Sequence, residues 1–206
     1  AAGAILGEAL AVHSVEDIVL RVIGPVIAQF GMEWQRGQAS VPTEHFATNY
    51  LRQRLLLWME TAPAPQTATP IVLACAPGEL HEGGLLMLGV LLRRRRLGVA
   101  YLGQSVPLEE LGAFAQSVHA PAIVSVARGV ESARRLAEWP QSLPEIAESG
   151  RPRLTFAGRV FVEKPEWRQR ILGIYLGDTV ERGFARLIGM LPGNGAAVFS
   201  TGTPSP

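Results

Sequence analysis

The chain has 206 residues, 48% of them hydrophobic, and its 19 lysines and arginines face 18 acidic residues. That length supports one large or two small domains with a sizeable core, and a formal charge of +1 supplies no global field toward nucleic acid or anionic lipid. Every apolar run is broken before the roughly 18 residues a spanning helix needs. The single cysteine, Cys75, allows no internal disulfide, and no signal-peptide pattern opens the chain, so a cytoplasmic protein without a membrane span is expected.

In chain order, residues 1–60 read as a small helical bundle. Ile5, Leu6, Ala9 and Leu10, then Ile18, Val19, Val22, Ile23, Val26, Ile27 and Phe30, recur at helical spacing. Ser14 with Asp17 is expected to start the second helix and Gly31 to end it, and a third covers 43–59. The three prolines of 61–70 mark a linker over 61–69. Short apolar strands then alternate with helices. Strands are expected at 71–75, 99–102, 122–126, 153–156 and 173–176, with helices ending near Arg96, beginning at Leu108, and covering 178–188. Such alternation predicts an α/β fold over 70–190, a doubly wound parallel sheet with its chemistry in the loops after the strands. The tail, 191–206, is rich in small and polar residues and is expected to be disordered.

After the first strand comes Ala76-Pro-Gly-Glu-Leu-His-Glu-Gly-Gly84, with Glu79 two positions before His81. A metal-ligating imidazole commonly donates its second ring N–H to a carboxylate, which fixes the tautomer and raises basicity. Taken alone, Glu-x-His also suits a solvated or hydrogen-bonding histidine. The wider pattern of Glu79-x-His81-x-x-Gly84, Ser125 near a strand end, and Ala157-Gly158 resembles the B12-binding family, whose motif is Asp-x-His-x-x-Gly, Ser-x-Leu and Gly-Gly. The resemblance covers about 70–188. It implies a flavodoxin-like sheet, base-off cobalamin with His81 beneath cobalt, and a nucleotide tail in a groove lined by Ser125, Val126, Ala157 and Gly158. It also implies that Gly103, Gln104 and Ser105 approach the corrin or its tail. Glu79 stands in place of aspartate, Ser125-Val-Ala127 in place of Ser-x-Leu, and Ala157 in place of the first glycine.

In the helical half, Trp34, nine residues, then Glu44-His45 resembles the pattern of MerR-type, B12-dependent photoreceptor regulators. The resemblance implies a cap over the upper corrin face. Trp34 would stack on the deoxyadenosyl group of adenosylcobalamin, Glu44 and His45 would contact it, and Val41 would lie along the same wall. Trp34 as a core aromatic and Glu44 as a helix-start charge is the competing reading. Those regulators have Trp-His where this chain has Trp34-Gln35. Illumination is therefore expected to leave an upper face free of histidine, with His45 as the one nearby substitute ligand. Those regulators carry a DNA-binding domain ahead of this region; whether this chain is trimmed or stands alone, its output is expected to pass through a partner, a DNA-binding domain elsewhere or a homo-oligomer.

His13 and His119 read as solvated or capping residues, and Trp139 and Trp167, beside prolines, as surface-packing aromatics. The run Arg93 to Arg96 reads as a solvated face at a helix end. No hydrolytic triad, paired carboxylates or phosphate loop is convincing, and a binding protein rather than a turnover enzyme is expected. The alternative is a corrinoid methyl carrier for a methyltransferase, which would favour methylcobalamin; hydroxocobalamin is a third possible form.

Overall fold

The computed structural model describes residues 2–35 and 40–191, and within these it leaves the side chains of 2–5, 30–35, 41, 43 and 44 outside the description. The expected tail beyond Leu191 also lies outside it.

The helical half comprises α1 (Ala2–Val12), α2 (Val15–Ile18), a π-helical turn (Val19–Ile23), α3 (Gly24–Gln35) and α4 (Val41–Glu60). Ser14 caps α2 as expected, its hydroxyl accepting the Asp17 N–H. The π turn interrupts what the periodicity presents as one helix. Pro25 has no N–H for the carbonyl of Arg21, and Gly24 instead bonds back five residues to Val19. Gly31 does not end the helix, which continues to Gln35; a helical glycine costs only about 1 kcal/mol.

Thr61–Pro70 carries no regular element but is pinned to the far end of the sheet half. Gln66 N–H donates to the Arg96 carbonyl at 2.7 Å, and Gly98 N–H to Thr67 Oγ1 at 2.7 Å.

Five parallel strands follow: β1 (Ile71–Cys75), β2 (Val99–Gly103), β3 (Ala122–Val126), β4 (Arg153–Ala157) and β5 (Ile174–Tyr175). Their order, β2-β1-β3-β4-β5, is flavodoxin-like and puts the switch point between β1 and β3. β5 keeps only two residues of its expected four. On one face lie α5 (Gly83–Arg94) and α11 (Val180–Met190). On the other lie α6 (Leu108–Ser117), α7 (Val130–Leu136), α8 (Trp139–Ser142), α9 (Pro144–Ser149) and α10 (Val160–Glu163). Trp139 and Trp167 are buried in the second core rather than packing on the surface. Short helical turns fold their indoles inward, which the neighbouring prolines alone do not reveal.

α5 is buried continuously from Leu85 to Leu92 because both its faces are covered. The sheet takes one side; α2, the π turn and α4 take the other through Ile18, Val19, Ile23, Leu55 and Met59. Gly89 makes room: a methyl there would lie 2.6 Å from Met59 Sδ and 3.2 Å from Leu73 Cδ1. The basic run also departs from a purely solvated face. Arg93 donates to the Met59 carbonyl at 3.2 Å, and Arg94 pairs with Glu16 at 3.1 Å.

Candidate functional site

β1 ends at the switch point, so the loop carrying His81 emerges where doubly wound sheets bind ligands. Gly78, with φ of +78°, turns this loop back over the strand end. Glu79 is only 4% exposed, yet both carboxylate oxygens are saturated. Oε1 meets His81 Nδ1 at 2.7 Å and accepts the Leu80 and His81 amides at 3.0 Å each. Oε2 accepts the Arg128 amide at 2.5 Å and the Ser132 hydroxyl at 2.8 Å. Burial on its own would raise the Glu79 pKa. The His81 ring, the Arg128 and His81 amides and the Ser132 hydroxyl outweigh it and hold the group at about 2, against the usual 4.5.

A fixed carboxylate at Nδ1 leaves Nε2 as the available ligand nitrogen, and the His81 side chain is 57% exposed. The arrangement can present one imidazole nitrogen to a ligand, oriented from behind. The longer glutamate fits where the family motif has aspartate because its carboxylate spans from the His81 ring to α7.

Beside His81 opens a cleft of about 720 Å³, within the range of small-molecule and cofactor sites. Its walls combine Gly84 and Leu88 of α5, Val126 of β3, Ala157 at the end of β4 with Gly158 after it, and Leu20 and Ile27 of the helical half. Arg128, Arg159, Glu163 and Asp178 form a polar rim. The two positions of the Gly-Gly motif differ in what they tolerate. Ala157 ends a strand and accepts a methyl, whereas Gly158 has φ of +131° and a methyl there would lie 1.9 Å from the Ala127 carbonyl oxygen. The glycine that geometry requires is the one retained.

Other expected residues fall elsewhere. Ser125 is fully buried beneath the cleft. Strand alternation assigns it to the face opposite Val124 and Val126, and its Oγ has no partner among the described residues. Gly103, Gln104 and Ser105 lie outside the cleft wall, and Gln104 and Ser105 brace the histidine loop. The Gln104 amide donates to the Leu80 carbonyl at 2.7 Å, Ser105 Oγ accepts the Gly78 N–H at 3.0 Å, and the Ser105 amide donates to the Glu79 carbonyl at 3.0 Å. His45 is exposed on α4. The side chains of Trp34, Gln35, Val41 and Glu44 lie outside the described residues. Sequence reasoning missed Ser132 and the Arg128 amide, which complete the Glu79 shell; their only sequence signal is a glycine-led helix start after β3.

Residues 1–57 match a protein-family model described as "B12 binding domain". This match falls on the helical half. The helical half is thus similar to B12 binding domains. It is 39% identical over 110 residues to the HTH-type transcriptional repressor CarH of Myxococcus xanthus, covering 52% of this chain and 36% of the repressor. To CarA of the same organism it is 35% identical over 108 residues, covering 52% and 35%. The match thus spans about a third of the length of either relative. Among solved structures, the monomethylamine corrinoid protein of Methanosarcina barkeri superposes with a TM-score of 0.69 at 16% identity, covering 90% of this chain and 88% of that one, a likeness of fold. These findings support a cobalamin cofactor. Among the described residues, no helix is long and apolar enough to cross a membrane.

Proposed function

We propose that the chain is a cobalamin sensor that holds adenosylcobalamin base-off, with His81 as the lower axial ligand, and responds to light or to cofactor loss as part of transcriptional regulation. The observation that carries this reading is the exposed His81 ring locked at Nδ1 by a buried, five-bonded Glu79 and opening onto a cleft of about 720 Å³. The residues fit the group: one imidazole nitrogen is available, and small or apolar residues line the floor beside it. When bound, the cofactor supplies a cobalt–carbon bond that light can break.

The protein's own contribution is orientation. Glu79 accepts from Nδ1, which would leave Nε2 as the lone-pair donor to hold cobalt, and Ser132 and the Arg128 amide keep that carboxylate ionised. Trp34, Val41, Glu44 and His45 are proposed for the adenosyl side, with Gln35 leaving no histidine beside Trp34 to cap cobalt after photolysis. Similarity to two repressors supports a regulatory role carried out by binding rather than turnover.

The test is reconstitution with adenosylcobalamin in the dark, followed by green light, with absorption spectra and size-exclusion chromatography on both samples. A stable dark complex whose spectrum and elution both change on illumination is expected. A clear preference for methylcobalamin would contradict the sensor reading and favour a methyl carrier; binding with no change in elution would leave a passive sensor or a carrier, and no binding would overturn the reading. Trp34→Ala is expected to weaken the adenosyl form while sparing hydroxocobalamin; equal losses would remove Trp34 from the upper face.

A further inference from the structure

The His81 loop is restrained on both sides, and only one restraint belongs to the Glu79 shell. On the other side stands Glu82, whose carbonyl accepts the Leu86 N–H and begins α5. Its carboxylate caps nothing on that helix. It is instead buried, at 5% exposure, and accepts from Arg52 Nε of α4 and from the Tyr101 hydroxyl of β2. Burial first, and then the Glu82 carboxylate, push the Tyr101 phenol well above its ordinary range, so it stays a donor. The Cys75 thiol lies against the His81 carbonyl at 4.0 Å beneath the same loop. A buried carboxylate is costly unless paired and hydrogen-bonded, so this arrangement contributes geometry more than stability.

α4 is a single helix of 20 residues. Arg52 follows His45 by seven residues, which is two turns. The two therefore share a face, about 10 Å apart along the axis. One rigid element thus bears the proposed upper-face residues Glu44 and His45 near its start and the partner of the lower-ligand loop in its middle.

We propose that Arg52 is a positioning residue: through Glu82 it ties the His81 loop to α4, so that ligation of cobalt by His81 and the seating of α4 depend on each other. The proposal rests on His81 being the lower ligand. Such coupling is reciprocal, so whatever displaces α4 weakens His81 ligation and loss of His81 ligation loosens α4.

The test uses the full chain, grown with histidine carrying the heavy nitrogen isotope, as the unsubstituted protein and as Arg52→Met, Arg52→Lys, Arg52→Met with Glu82→Gln, and His81→Ala. Each is loaded with hydroxocobalamin and reduced to cobalt(II). Electron paramagnetic resonance reads the ratio of histidine-ligated to histidine-free cobalt, and thermal melts of the unloaded proteins read stability. Arg52→Met is expected to lower that ratio roughly tenfold, comparable to loss of an outer-shell partner. Arg52→Lys is expected to restore most of it. The double variant is expected to regain thermal stability, because no unpaired carboxylate stays buried, while keeping the spectroscopic loss. A double variant that melts like the unsubstituted protein and keeps its full ratio overturns the proposal. If the unsubstituted chain shows no histidine nitrogen on cobalt, or His81→Ala retains it, the ligation reading itself fails, and the two failures are distinguishable.

Discussion

The sheet half and the helical half are built on different physical terms. In the sheet half, the site is a closed set of hydrogen bonds: Glu79 gathers the His81 ring, two loop amides, the Arg128 amide and the Ser132 hydroxyl within a few ångströms. Each bond is directional, so the imidazole has one orientation. The helical half is held mainly by apolar contact, with Ile18, Val19, Ile23, Leu55 and Met59 joining a core whose centre is α5. Apolar contact is strong but non-directional. The Arg52–Glu82 pair adds a directional tie between the two halves, so on the proposed reading a displaced helical half carries its effect to the His81 loop.

The contrast can be broken at its strongest point first. His81→Ala is expected to lower cobalamin affinity by more than the roughly 10- to 100-fold typical of an outer-shell loss, and to return bound cofactor to base-on or water ligation, with the unloaded protein still melting cooperatively. Binding isotherms and absorption spectra check this. Leu55→Ala, at a position 1% exposed, is expected to cost about 2–5 kcal/mol. Because the core is shared, both halves should still unfold in one transition by calorimetry; two separate transitions would show independent cores.

Glu79→Gln sharpens the comparison through pH. The folded Glu79 carboxyl sits at about 2 against the usual 4.5, so the unfolded chain binds more protons between those values. The stabilisation is full above about pH 4.5 and is lost as pH falls through about 2, worth at most about 3 kcal/mol. Denaturant midpoints of the two proteins should therefore converge as pH falls across that window, and affinity for cobalamin at neutral pH should drop roughly 10- to 100-fold. The smallest effect is expected from Glu16→Gln, which removes the partly exposed pair with Arg94 and should cost under about 1 kcal/mol. A larger loss would mean that polar ties, rather than apolar burial, seat the helical half.

The alternation of strands and helices was legible because each strand is a short apolar run between turn residues, and the His81 loop because the histidine and its carboxylate lie two residues apart. Ser132 was not legible: it lies 53 residues from Glu79 and meets it only once α7 is docked. Arg52 and Glu82 are likewise 30 residues apart, and their pairing needs α4 seated on α5. The shared core has a signal in the continuous run Leu85 to Leu92, too apolar for a helix covered on one face, although such a run does not say what covers the second. The π turn follows from Pro25, whose effect on a helix depends on what packs around it. Among expected cleft residues, Val126, Ala157 and Gly158 lie at or just past strand ends, where sequence can place them, whereas Ser125 required the pleat to reveal its face.

The central claim is that His81 binds cobalt from below. It is tested most directly by loading the chain, grown with heavy-isotope histidine, with cobalamin and recording the electron paramagnetic resonance of the cobalt(II) form. The account predicts axial splitting from one histidine nitrogen, changed from a triplet to a doublet by the label and abolished in His81→Ala. Splitting that ignores the label would mean the cofactor keeps its own base, and would contradict the account.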